Sequence, residues 1–306
     1  MNRSILIVVL MTMGFTVKSQ INSVPDSSSK KNESAVIANG AKLQLISSRF
    51  SFTEGPAVDK NGNVYFTDQP NNKIWKYTTD GKLEIFLHNA GRSNGTYFDR
   101  QGNLVTCADE HNQLWSVDKD TNVTVLLKDF NGLHFNGPND LWIDKKGGIY
   151  FTDPYYQRDY WTRQKADLPS QSVYYLAKNK LPVLVAGDLM KPNGIAGSAD
   201  NKYLYVADIK ADTTWRYNIG KHGRLFNKTL AAAKGSDGIT IDSGGNLYLT
   251  GKGVFVYNKA GVLIEHIEVP EAWTANLVFA GKKKDILFIT ASKSLYSLQM
   301  KVHGVN

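Results

Sequence analysis

A chain of 306 residues with 42% hydrophobic and 11% aromatic residues has material for one large packed domain, which excludes a disordered or fibrous protein. The formal net charge of +8 comes from Lys and Arg scattered along the chain, not from a basic stripe interleaved with aromatics, so no nucleic-acid partner is expected. The single cysteine, Cys107, excludes an internal disulfide, and its place in the strand-like run NLVTCAD marks it as a buried core thiol.

Residues 1–19 read as an export signal, with Arg3, the apolar run ILIVVLMTMGF and a cleavage position after Ser19. That run is too short to span a membrane comfortably. No stable span is therefore expected after cleavage, and the expected location is periplasmic or secreted. Residues 20–37 include the polar stretch SVPDSSSKKNES and are expected to form a flexible tether before a folded domain over 38–306.

From Glu54 onward one unit recurs: a polar residue, a short apolar stretch, a turn with Gly or Asn, then a β-rich run. Its copies start at Glu54 (EGPAVDKNGNVYFTD), Asn94 (NGTYFDRQGNLVTCAD), Asn139 (NDLWIDKKGGIYFTD), Asn193 (NGIAGSADNKYLYVAD) and Asp237 (DGITIDSGGNLYLTG). A weaker sixth, NLVFAGKKKDILFIT, starts at Asn276. The spacings are 40, 45, 54, 44 and 39 residues, and the long third interval holds an insertion, PYYQRDYWTRQKADLPSQS, after Asp153. Six units of this size predict an all-β fold, a six-bladed β-propeller with four-stranded blades. The earlier segment AKLQLISS is expected to supply the outermost strand of the sixth blade and so close the ring.

Radially equivalent repeats would bring Glu54, Asn94, Asn139, Asn193, Asp237 and Asn276 together around the axis. A lone Asn or Asp at such a place is explained by turn capping. Six equivalent positions favour an inward-facing set, and Glu54 favours it most because its long side chain is a poor turn former. Two carboxylates with several amide oxygens make a hard-oxygen cage for one divalent ion, calcium first, with magnesium, zinc or manganese as alternatives. No Cys and His cluster with structural-zinc spacing and no GxSxG nucleophile elbow occurs.

The ordered motifs EGP at Glu54, GPNDLW.D..G.IYFTDP around Asn139, KPNGIA.S.D...LYVAD around Asn193 and SDGI.ID..GNLY around Asp237 carry a resemblance. Over roughly residues 45–300 the chain resembles the senescence marker protein (regucalcin) and gluconolactonase family of six-bladed propellers. The resemblance implies a divalent metal on the axis with Glu54, Asn193 and Asp237 as principal ligands. Asn139 would complete the shell or hold substrate, with Asp140 beside it. It also implies hydrolysis of a gluconolactone-like sugar lactone or a related lactone. The metal would polarise the carbonyl while Asp237, as ligand or neighbour, assists the attacking water. Two alternatives stand beside this reading: a non-catalytic ligand- or protein-binding propeller with a structural metal, and the same cage hydrolysing an organophosphate or aryl ester.

Around this core, His134 stands in GLHFNGPND where family members usually carry a basic residue. His134, His111, Asn94, Asn139 and Asp140 are the expected substrate contacts. Asp109 and Glu110 are expected to be solvated turn charges, and Asp68, Asp153 and Asp208 blade-turn residues. The insertion, with Tyr155, Tyr156, Tyr160, Trp161, Arg158 and Arg163, is expected either to cover the channel mouth or to pack upon itself.

Overall fold

The computed structural model describes residues 33–305. The export-signal segment and most of the expected tether lie outside these residues. The six repeats build six antiparallel four-stranded sheets; in the first five the strands lie in sheet order as in sequence, and the sixth repeat supplies three strands of its sheet. The first blade shows why: Thr53–Val58, Val64–Asp68, Lys73–Tyr77 and Leu83–His88 alternate β-branched or aromatic residues and are joined at tight turns. The turn after the first strand is closed by Asp59, whose carboxylate accepts from Asn61 N and Asn63 N at 2.8 and 2.9 Å. Asp99, Asp144 and Asp242 repeat this closure in blades 2, 3 and 5.

The expected ring closure is present. Gln44–Ser47 pairs antiparallel with Ser294–Gln299, completing the sixth sheet with a strand from the other end of the domain. The ordered chain begins earlier than expected, however. Val36 is buried in the core of the sixth blade, Ile37 bridges to Met300, and Lys301 N donates to Val36 O at 2.8 Å. The last residues assigned to the tether are thus part of the fold, because Val36 and Ile37 bury apolar side chains that a solvated linker would leave in water.

Between blades, apolar faces of neighbouring sheets interlock, as where Phe66, Phe288, Val278 and Leu295 join blades 1 and 6. At the inner edge, buried threonines tie blade to blade. Thr67, Thr152 and Thr250 donate their hydroxyls to the carbonyls of Asn94, Asn193 and Ala275 on the next blade, at 3.1, 2.7 and 2.8 Å. Pairing breaks where the repeat begins. The register shifts between Glu54 and Ala57, Ser93 and Thr96, Pro192 and Ile195, and Thr274 and Asn276. In blades 3 and 5 the innermost strand starts only at Leu141 and Ile239, just past Asn139 and Asp237. A bulge re-aims side chains that a regular ladder would direct alternately to the two faces of a blade. This local irregularity falls where the six polar residues begin their repeats. Gly55 makes the first bulge possible: its φ is +45°, and a Cβ there would lie 2.1 Å from Asn94 O.

Candidate active site

Glu54, Asp140 and Asn276 meet at the inner ends of blades 1, 3 and 6. Glu54 Oε2 accepts from its neighbour Gly55 N and from Asn276 Nδ2, the latter at 3.0 Å. The same Asn276 amide lies 3.5 Å from Asp140 Oδ2, and Asp140 Oδ1 accepts from Leu141 N at 2.9 Å. Across the ring, Asp237 Oδ2 accepts from the Trp273 indole at 2.6 Å. Asn193 donates through Nδ2 to the Tyr156 hydroxyl at 3.0 Å. Below this ring a channel cavity of about 150 Å³ runs between the inner strands and is touched by Asp140 and Asn276.

Burial raises the affinity of these acids for protons. Glu54 is held well above the carboxylate range by burial and then by the negative charges of Asp237 and Asp140. Asp140 is pushed up to about 7 and Asp237 to about 6, burial being the largest cause in each. The Arg158 charge pulls Asp237 partly back down. Among the described residues, none of the three forms a salt bridge with a Lys or Arg.

The remaining expected contacts divide into two groups. Asn94 and Asn139 are buried at the inner ends of their blades. Asn94 O accepts the Thr67 hydroxyl, and Asn139 O accepts Gly95 N at 2.7 Å. His134 and His111 lie elsewhere. His134 is exposed and its Nδ1 pairs with Asp167 Oδ2 at 2.9 Å, while His111 is exposed and stacks on Trp115 at 5.1 Å. Among the described residues neither histidine makes a hydrogen bond or ion pair with the central ring.

Asp109 departs most from expectation. It is 2% exposed, not solvated, and is the point to which the insertion is tied. Its Oδ2 accepts from Arg158 Nε at 2.8 Å, from the Tyr160 hydroxyl and from Gln69 Nε2 at 3.3 Å, while its carbonyl accepts the Trp161 indole at 3.0 Å. The insertion packs against blade 2 and touches one ring residue. Trp161 is buried and stacks with Arg163 against blade 2, while Tyr156 reaches Asn193 at the ring. Asp68, Asp153 and Asp208 accept backbone N–H groups of the chain entering their own blades. Tyr156 and Trp273, which sequence reasoning did not assign to the site, are in direct contact with two of its polar residues.

A divalent cation fits this arrangement. Glu54 and Asp140 are buried and Asp237 is partly exposed; the three repel one another and, among the described residues, have no ion-pair partner, while Asn193 Oδ1 is buried with no hydrogen-bond partner. Among the described residues no group of three or more His, Cys, Asp or Glu side chains is placed to hold a metal alone. The shell would therefore combine Glu54 and Asp237 with amide oxygens of Asn193 and Asn139, an all-oxygen set suited to a hard cation.

The repulsion also sets a pH dependence for the metal-free protein. An acid whose folded value lies above its unfolded value binds more protons in the folded state between the two, so stability falls as pH rises through that window. For Asp140 and Asp237 the window runs from the ordinary carboxylate value of 3.8 to about 7 and about 6. Chelated protein is expected to melt at a lower temperature at pH 8 than at pH 5, and added divalent ion to raise the melting temperature more at pH 8. Equal gains at both pH values would contradict the assignment.

Residues 52–293 match the family described as the SMP-30/Gluconolactonase/LRE-like region. A gluconolactonase from Zymomonas mobilis is 29% identical over 88% of this chain and 84% of its own. A crystal structure described as a gluconolactonase from Xanthomonas campestris superposes with a TM-score of 0.81 at 27% identity, covering 86% of this chain and 91% of that one. A calcium-binding protein, regucalcin, from Agrobacterium tumefaciens shares the fold at 19% identity and a TM-score of 0.72, over 86% and 95% of the two chains.

Proposed function

Because the chain belongs to the SMP-30/Gluconolactonase/LRE-like family, we propose that it hydrolyses a gluconolactone-like sugar lactone at the ring of Glu54, Asn193 and Asp237. The observation that carries the reading is the set of carboxylates without an ion-pair partner among the described residues, beside the orphaned Asn193 oxygen and in contact with Tyr156 and Trp273. Glu54, Asn193 and Asp237 would hold a divalent ion, with Asn139 completing its shell or contacting substrate. Calcium suits these oxygen donors best.

A bound divalent ion supplies Lewis acidity toward the lactone carbonyl and the oxyanion that forms there. Water adds to the carbonyl carbon, the ring C–O bond breaks, and the ring oxygen leaves as a hydroxyl after taking a proton. The product is an open-chain hydroxy acid that ionises and releases a proton. Asp237 would take a proton from the attacking water through the carboxylate oxygen not held by the ion. The Trp273 indole holds Asp237 Oδ2 and so orients the other oxygen toward the mouth. Tyr156 fixes the Asn193 amide through its hydroxyl. The basic start and apolar run of residues 1–19 support the further reading that the enzyme works outside the cytoplasm.

The test is proton release from gluconolactone by protein stripped with a chelator and then supplied with calcium, zinc, magnesium or manganese. Activity is expected to vanish on stripping and to return with at least one ion, while far-ultraviolet circular dichroism stays unchanged. Full activity in verified metal-free protein would sink the proposal.

A further inference from the structure

We infer that the preferred lactone carries a second, negatively charged group, a carboxylate or phosphate, received between Lys191 and Arg158 at the channel mouth. This rests on the lactonase reading and names its substrate class. Both cations flank the Tyr156 ring, Lys191 Nζ at 4.0 Å and the Arg158 guanidinium at 5.5 Å from its centroid. The hydroxyl of that ring bonds Asn193, so a single tyrosine side chain separates the cations from the reacting centre.

The protein neutralises this positive charge only in part: Asp109 forms a salt bridge with Arg158, and among the described residues Lys191 has no ion-pair partner. Arg158 is held through Nε by Asp109, and among the described residues its Nη groups have no hydrogen-bond or ion-pair partner. Lys191 Nζ likewise has none. Asp208, which accepts the Lys191 backbone N–H, is committed to backbone groups: Oδ2 to Met190, and Oδ1 to Lys191 at 2.9 Å and Ala211 at 3.3 Å. Lys210 adds a third charge, and the Lys191 ammonium is held below its usual value by burial and then by Lys210 and Arg158. Three cations gathered around the single carboxylate of Asp109 leave a net positive charge that an anionic ligand group would offset. Asp109 contributes as a positioning residue, since it fixes the Arg158 guanidinium in place from beneath.

The alternative is that both cations merely pack on Tyr156. A packing role would lower stability on substitution without changing discrimination between charged and neutral substrates. The experiment compares kcat/KM of the metal-loaded full chain for gluconolactone, its terminal phosphate ester and glucarolactone, with Lys191→Met beside the parent. At least one anionic lactone is expected to exceed gluconolactone by about tenfold or more, as a charge-assisted contact allows. Which one does so separates phosphate from carboxylate. The preference is expected to shrink several-fold in Lys191→Met and in about 0.5 M salt. Calorimetry supplies a readout apart from turnover: glucarate is expected to bind more tightly than gluconate, and Lys191→Met to remove the difference. Hydrolysis of gluconolactone with no anionic preference, or a preference that survives Lys191→Met, overturns this inference alone. Failure of all three lactones to react overturns the lactonase reading and the substrate class with it.

Discussion

Asp237→Asn is expected to lower kcat for lactone opening by roughly 100- to 10,000-fold, the range that loss of a positioned base and a ligand charge produces. The replacement keeps the shape of the side chain. An Asn oxygen can still accept the Trp273 indole, now bonded at 2.6 Å, so the loss is expected without unfolding. The loss should fall on kcat more than on KM, because a proton acceptor acts in the transition state and not in substrate binding. Steady-state kinetics with a thermal melt of the same sample checks both parts. A variant that keeps more than about a tenth of wild-type kcat would contradict a base role of this size.

Glu54→Gln is expected to act first on the ion. It removes one of the two carboxylates in the proposed shell, and charge count is a principal determinant of affinity for hard cations, so a loss of roughly 100-fold or more in calcium affinity is expected. The metal-free variant should meanwhile be no less stable than the parent, and more stable above pH 7. Glu54 is buried and repelled by Asp237 and Asp140, so removing its charge relieves a cost that the metal-free protein carries. A residue serving only the turn would show the opposite pairing, with lower stability and unchanged affinity. Calcium titration by calorimetry, with melts taken in chelator, separates the two.

The blades, their order and the closing strand were legible because each repeat carries its own strand alternation and turn chemistry. Polar anchors at equivalent places pointed to the axis for the same reason. What was not legible depended on contacts between parts distant in sequence. Asp109 looked like a solvated charge beside Glu110 and His111, and only the insertion, folded back from some fifty residues further on, buries it. Tyr156 was one aromatic among several, and nothing local distinguishes it from Trp161, which packs inward. Trp273 precedes the weakest repeat and gave no signal, although its indole holds Asp237. One regularity was available: a threonine recurs in VYFTD, NLVTCAD, IYFTD, LYLTG and ILFIT. Three of those threonines tie one blade to the next, Thr106 and Thr290 bonding carbonyls of their own blades. His134 illustrates the reverse limit, since proximity in sequence to Asn139 did not bring its side chain to the ring.

The central claim is that Glu54, Asn193 and Asp237 hold a divalent ion on the propeller axis. Anomalous diffraction from crystals grown with calcium or manganese tests it most directly. One strong peak is expected on the axis, with carboxylate and amide oxygens of these residues about 2.0–2.6 Å away. A peak bound elsewhere, or a ring occupied only by water at saturating ion, would contradict it.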